Sequence, residues 1–289
     1  MKKRGIIITI VIIVVVLIFI GGYFYFTEEP LLSPTDVKVK VGNAPPSIIN
    51  TPNVNIPVTL TAATTKDVVV SFTVRDANGA GDLNDVAAQV TFSLAGETDR
   101  VGGCIVASQT SKEKTYDCTV AMQYYDAPGN WVMDFYIEDL ATPPISDTAT
   151  ASANVVVGLL KAISFDSVID LGVIAPGQVD SLSSNIVLTN EGNFVAPVDG
   201  SVIINAKNLV GVTNSAENIP ASGFTAADSS GDVCGTGTTL IHNTNVNVNV
   251  ALPRGSSAIG NLAFCIPLVP EVSAQNYEAT GGNAWSIEI

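Results

Sequence analysis

The densest collection of chemically competent side chains in this sequence is Asp76-Ala77-Asn78-Gly79-Ala80-Gly81-Asp82-Leu83-Asn84-Asp85. It gathers carboxylate and amide oxygens in one short turn. Hard cations such as Ca²⁺ take six to eight oxygens from such groups, so Asp76, Asn78, Asp82 and Asp85 are the candidate calcium ligands. The spacing lacks the closing Glu of an EF-hand. The same residue types also build a metal-free turn, with Asn78-Gly79 supplying the positive φ. No other cofactor is expected.

The four cysteines fall as Cys104 and Cys118, then Cys234 and Cys265. An even count in an oxidising compartment predicts disulfides, one within each half of the chain. The polar stretch Ser108 to Lys114 is centred on Ser111, which is also the midpoint of the first pair. That symmetry suits two facing hairpin strands. Closing a loop of roughly 15 residues stabilises by about 3 kcal/mol in the chain-entropy model. A zinc site is the alternative, but there is no C-x-x-C and His242 is the single histidine.

That single imidazole also argues against nucleophilic catalysis. His242 lies in Leu240-Ile241-His242-Asn243-Thr244 with no serine elbow in sequence, and reads as a surface strand residue. Blue copper needs two histidines with a cysteine. Acidic pairs in an acidic β protein read as solvated faces, and no P-loop or dinucleotide fingerprint is present. The expectation is a protein that is not an enzyme. A different kind of site is the ladder Asn243, Asn245, Asn247 and Asn249, alternating with Thr244, Val246, Val248 and Val250. Its apolar set faces a core and its amide set forms a flat polar stripe, the pattern of an ordinary long sandwich strand; the functional alternative is an adhesive stripe or an exposed edge for strand addition.

The elements that must position these groups are strands. Val68, Val70, Phe72 and Val74 alternate with polar residues, as do Val86, Ala88, Val90, Phe92 and Leu94, then Trp131, Met133, Phe135 and Ile137. Ala151 to Val157 closes this unit. Seven or eight short strands separated by Asn, Gly, Pro and Asp predict an antiparallel sandwich over residues 36–157. Residues 158–289 form the second, with strands at Ala162 to Phe165, Ser184 to Leu188, Val202 to Ala206, Leu240 to Leu252, Asn261 to Ile266 and Trp285 to Ile289. Asn208 to Gly237 reads as a long irregular excursion. The connection Val157-Gly158-Leu159-Leu160-Lys161 is too short and apolar for a floppy linker, so the two halves should share an interface. No segment after residue 30 has sustained helical periodicity.

Ahead of these lies a different kind of segment. Residues 1–5 carry Lys2, Lys3 and Arg4, and residues 6–26 are uncharged. As a helix those 21 residues span roughly 31 Å, about one bilayer core. The basic cluster favours the cytoplasmic side, Tyr23 to Phe26 form an aromatic collar at the far interface, and Glu28-Glu29-Pro30 ends the span within a juxtamembrane linker, residues 27–35. The expected topology is one transmembrane signal anchor with the C-terminal mass outside the cell membrane. A cleaved secretory peptide is the weaker alternative, since no A-x-A-like site follows.

Removing the three leading cations leaves 10 Lys and Arg against 27 Asp and Glu, a net charge of −17 outside the membrane. Phosphate recognition needs a clustered basic patch, so nucleic acid is excluded as a partner. Only 14% of residues are charged and 47% are hydrophobic, the balance of a cored chain. Expected partners are the membrane, other surface proteins or further copies of this chain.

Two stretches resemble known families. Leu171-Gly172-Val173-Ile174-Ala175-Pro176-Gly177-Gln178, followed by Leu188-Thr189-Asn190-Glu191-Gly192-Asn193, is similar to the opening of many secreted Ig-like domains, where a "PGQ" turn leads into a strand ending "TNxGN". Phe72 to Gly79 with Asp82-Leu83 resembles the corner between the second and third strands of surface-layer and adhesin Ig-like repeats. The resemblance implies tandem Ig-like sandwiches at a cell surface and names no ligand. In addition Lys3-Arg4-Gly5 before an apolar helix resembles archaeal-type pilins and archaellins, which implies a filament subunit with its leader cut after Gly5.

Overall fold

The structure is a computed structural model that describes residues 38–166 and 168–289; the anchor segment, residues 6–26, and the bond after Gly5 lie outside the described residues. Among the described residues no helix is long and apolar enough to cross a membrane. Asn43–Ile289 forms one compact unit. It is all-β, built around two large hydrophobic cores with a small third cluster at Val233, Ala263 and Cys265.

The first core is enclosed by β1 (Ser47–Asn50), β2 (Ile56–Val58), β3 (Thr65–Arg75), β4 (Gln89–Ser93), β5 (Arg100–Gln109), β6 (Glu113–Gln123), β7 (Gly129–Glu138) and β8 (Ser146–Val157). These join in the order β1-β3-β6-β5-β4-β7-β8-β2. The link in the middle is β5. Its first residues pair with β4, Phe92 opposite Arg100, and the remainder pairs with β6 from Gly103 opposite Thr119. A strand that changes partner folds one sheet into two facing layers, 1-3-6-5 and 4-7-8-2. That order is consistent with an Ig-like sandwich, whose layers run ABED and CFG. The changeover needs Gly102, because a Cβ there would sit 2.3 Å from the Thr119 carbonyl oxygen. All neighbours pair antiparallel except β2 with β8.

The alternating residues pack as their period requires. Val68, Val70, Phe72 and Val74 from β3 meet Trp131, Met133, Phe135 and Ile137 from β7, all buried. The Phe72 and Phe135 rings lie 5.0 Å apart across the layers, and Phe72 stacks on Tyr116 at 5.3 Å. Trp131 donates its indole N–H to the Ala127 carbonyl at 3.0 Å, so its one polar group is satisfied inside the core. Val86 departs from the sequence reading. It is fully exposed, because Ala87 N–H donates to Asn84 O and closes a turn before β4 begins.

The second core lies between β16-β15-β18-β11-β9 and the three-stranded sheet β17-β12-β20. These strands are β9 (Ile163–Phe165), β10 (Val179–Leu182), β11 (Ile186–Asn190), β12 (Val202–Asn205), β15 (Thr225–Asp228), β16 (Thr238–Thr239), β17 (Asn245–Val248), β18 (Ile259–Leu268) and β20 (Ser286–Glu288). β10 and β11 follow one another along the same edge of β18. A third small sheet joins β13 (Leu209–Gly211) to β14 (Asn218–Ile219) and β19 (Tyr277–Glu278). Phe194, Phe224 and Phe264 are buried at the centre, and Trp285 packs edge-on to the last two at 5.1 and 5.5 Å.

Two boundaries differ from the sequence reading. The stretch Leu240 to Leu252 is not one strand, because Asn243 takes φ 58° and Thr244 N–H closes a turn onto Ile241 O. Only Asn245–Val248 is strand. Asn208 to Gly237 is not irregular either. It holds β13, β14, β15 and the four-residue helix α1, Val233–Thr236, which Asp232 caps by accepting from Gly235 N–H.

Candidate functional site

The oxygen-rich turn after β3 sits at one end of the first sandwich, and the structure divides its four candidate ligands. Asp76 is fully buried. Its Oδ1 accepts from Asn78 N–H at 2.7 Å. Asn78 Oδ1 in turn accepts from Ala44 N–H at 2.7 Å. Asp82 lies on a single turn of 3₁₀ helix, Ala80–Asp82, and its carbonyl accepts from Leu140 N–H at 2.8 Å. Asp85 is committed elsewhere. Both its oxygens accept from Lys114 Nζ, at 2.7 and 2.9 Å, and Oδ1 also accepts from Tyr116 O–H at 2.7 Å. Burial, then the hydrogen bond and charge of Asp85, push the Tyr116 phenol far up.

In its place the fold brings Asp139, 63 positions beyond Asp76 in sequence. The isolated bridge between Leu83 and Asp139 carries it across. Asp139 is fully buried. Oδ1 accepts from Ala141 N–H at 3.1 Å and Ile145 N–H at 2.9 Å, while Oδ2 accepts from Asn43 Nδ2 at 2.7 Å. Burial alone would raise this carboxyl; the donors, Ile145 first, outweigh it and hold it below the usual carboxylate range. Asp82 moves the other way, raised by desolvation and then by the charges of Asp76 and Asp139. Asp139 and Asn43 are invisible to a local reading because only strand pairing brings them to the turn.

Both cysteine pairs form the expected disulfides. Cys104 and Cys118 are directly opposed partners on β5 and β6, with Ser111 in the intervening turn. Among the described residues, the one group of three metal-ligating side chains with atoms within 4.8 Å of one another is Asp180, Cys234 and Cys265. Both of its sulfurs are spent in the disulfide.

His242 is exposed, in a turn rather than a strand. Its Nδ1 accepts from Asn208 N–H at 3.0 Å, and its Nε2 bonds Asn243 Nδ2 at 2.7 Å. The amide stripe survives in shortened form. Asn245, Asn247 and Asn249 are exposed while Val246, Val248 and Val250 are buried, and Asn245 Oδ1 accepts from Asn205 Nδ2 at 2.7 Å. β17 is one of the two outer strands of its sheet.

The second polar centre is the joint between the sandwiches, made by the segment Thr189 to Asn193. Asn193 is fully buried and bridges both sides. Its Nδ2 donates to Asp126 O and Gly158 O, both at 2.9 Å, and its Oδ1 accepts from Leu160 N–H at 2.5 Å. Its own N–H donates to Leu160 O at 3.0 Å. Gly192 admits this approach, since a Cβ there would stand 2.2 Å from Leu160 O. Ala63 N–H donates to Glu191 O at 3.1 Å, and Ser257 N–H to the Tyr124 hydroxyl at 3.1 Å. Arg254 and Glu97 pair across the same joint. The shared interface expected from the short connection is present.

No known family and no curated protein sequence matches this chain. Three solved structures are similar at low identity. One is a chain of a chaperone–tip adhesin complex of CFA/I fimbriae, 11% identical, covering 83% of this chain and 96% of that one, with TM-score 0.35. Another is mouse clustered protocadherin PcdhgC3 EC1-3, 14% identical over 75% of this chain and 65% of that one, TM-score 0.29. The third is the secreted serine protease VesC of Vibrio cholerae, 13% identical over 80% and 48%, TM-score 0.19. This chain therefore spans less than two thirds of the protocadherin and of VesC. At these TM-scores the strand order, and not the likeness, defines the fold.

Proposed function

We propose that this chain is a membrane-anchored structural or adhesive protein of the cell surface. Residues 6–26 are its signal anchor, residues 1–5 stay cytoplasmic, and Ig-like domains over residues 36–157 and 158–289 stand outside. It works by display and contact, with other surface proteins or copies of itself as partners, and not as an enzyme. The observation that carries this reading is the joint. A fully buried Asn193 hydrogen-bonding to Asp126, Gly158 and Leu160 ties the two halves together, which supports reading the chain as a stalk or a presented module. The two disulfides suit an oxidising, extracytoplasmic setting.

A filament subunit with the leader cut after Gly5 is the second reading, favoured by Lys3-Arg4-Gly5 before the apolar run. N-terminal sequencing of the protein from its own membranes separates the two. Met1 or Lys2 at the terminus supports the anchor, and Ile6 supports the filament. Protease added to intact cells should remove a C-terminal tag; a tag protected until lysis would overturn the surface topology in both.

A further inference from the structure

Asp76 shares the turn after β3 with Asn78 and Asp82, the Leu83–Asp139 bridge brings Asp139 to the same turn, and the buried Asp76 carboxyl is left half satisfied. Oδ1 has the Asn78 N–H. Oδ2 is buried and has no hydrogen-bond partner. A buried carboxylate oxygen without a donor is strongly disfavoured, and native folds leave few such atoms. Among the described residues the ion pairs are Arg100 with Asp126, Lys114 with Asp85 and Arg254 with Glu97. None of these cations reaches Asp76, Asp82 or Asp139. Adjacent residues tie the corner together from the far side: Asn43 holds Asp139 and Ala44 holds Asn78.

We propose that this corner binds one Ca²⁺, with Asp76 Oδ2 as the anchoring ligand, Asp82 as the second carboxylate and Asp139 supplying the third negative charge. Water and backbone carbonyls complete the shell. The choice of metal follows from the donors. They are oxygens only, which excludes soft metals, and they sit on an irregular turn that suits the variable coordination of Ca²⁺ better than the strict octahedron of Mg²⁺. The three carboxylates do not stand within 4.8 Å of one another as a set. Binding therefore closes the turn, with the half-exposed Asp82 drawn inward. Asp85 takes no part, being held by Lys114 and Tyr116. The bound ion fixes Asn43 and Ala44, where the chain enters the compact unit.

The test uses the full-length chain in detergent, stripped with EGTA and titrated with CaCl₂ or MgCl₂ by calorimetry, with thermal unfolding alongside. The expected result is one Ca²⁺ per chain, a midpoint raised by Ca²⁺, and a weaker response to Mg²⁺. Asp76→Asn can fail to fold, so Asp82→Asn is the decisive variant. It should lose at least about tenfold in Ca²⁺ affinity, since it removes a ligand charge, yet unfold in EGTA no earlier than the unmodified chain, because it relieves repulsion. Asp85→Asn should bind as the unmodified chain does. Absence of heat and of any midpoint shift at about 10 mM Ca²⁺, above the range of extracellular calcium modules, overturns the site. So does full affinity in Asp82→Asn, or an equal loss in Asp85→Asn.

Discussion

Replacing Asn193 by Ala tests whether the two sandwiches behave as one body. The side chain makes three hydrogen bonds, two from Nδ2 to the carbonyls of Asp126 and Gly158 and one received from Leu160 N–H, in a site with no exposure. A net hydrogen bond is worth about 1 kcal/mol, and a buried donor left without an acceptor costs about 1–3 kcal/mol more. The expected loss is therefore about 3–5 kcal/mol. For a unit of this size each kcal/mol shifts the midpoint by roughly 2–4 °C, giving a drop on the order of 10 °C. Scanning calorimetry of the full chain should show one transition for the unmodified protein and two for the variant. Asn193→Asp should do no better, since it keeps the acceptor but turns a charge toward two carbonyls. A loss under about 1 kcal/mol with one undivided transition would refute the clasp.

Removing the disulfides should cost by loop length: about 3 kcal/mol for Cys104→Ala with Cys118→Ala, and slightly more for Cys234→Ala with Cys265→Ala, whose loop is longer. Urea unfolding would read both, and a reversed ranking would place the effect in packing around fully buried Cys118 and Cys265 instead. Glu217 should confer an acid dependence. Hydrogen bonds from Ser273, then Tyr277, lower its carboxyl from 4.5 to about 2. A depressed folded value contributes stability that is complete above pH 4.5 and is lost as pH falls toward 2. Glu217→Gln should flatten that part of the stability profile, and an unchanged slope would count against it. On the outer strand β17, Asn245→Lys with Asn247→Lys should abolish assembly or adhesion while leaving the fold intact, because charge on a free edge blocks strand addition. Undisturbed assembly would remove the edge as an interface.

Legibility in the sequence tracked the distance over which each feature is determined. Val68 to Val74 and Trp131 to Ile137 announce their buried faces because a strand's period of two is local. The Cys104–Cys118 pairing was equally readable, since a hairpin's register follows from its own turn. Val86 shows where the pattern overreaches: alternation counts an apolar residue wherever parity puts it, while the Asn84 turn has already left the strand. Leu240 to Leu252 misleads in the same way, because Asn243 tolerates a left-handed φ without any visible Gly or Pro break. The oxygen-rich corner proposed to bind Ca²⁺ needed tertiary pairing. Asp85 and Asp82 are indistinguishable in sequence, and only the approach of Lys114 and Tyr116 from β6, and of Asp139 from the end of β7, sorts them.

The hydrogen bonds of the joint are backed on each side by contacts within each half. On the first sandwich, Asp126 is fixed by Arg100, by Gln123 N–H donating to Oδ2 at 2.7 Å, and by its own N–H donating to Gln123 O at 3.0 Å. That sets the direction of the carbonyl which Asn193 uses. On the second, Asn190 plays the matching part. Its Nδ2 donates to Phe194 O and Pro253 O, both at 2.8 Å, and its Oδ1 accepts from Gly192 N–H at 2.9 Å. The turn carrying Asn193 is thus held from within its own sandwich. A hinge requires backbone that can change φ and ψ at small cost. Here the Asp126 turn and the Asn190–Gly192 turn are each held within their own half, so bending at Asn193 would break several buried hydrogen bonds at once. Force applied to the far end of the second sandwich should then pass to the first without an intermediate extension, and Arg100→Ala, which removes one of the three contacts that hold Asp126 without touching Asn193, should introduce one in single-molecule pulling. If Arg100→Ala extends in one step like the unmodified chain, the pre-organisation of Asp126 is not what stiffens the joint.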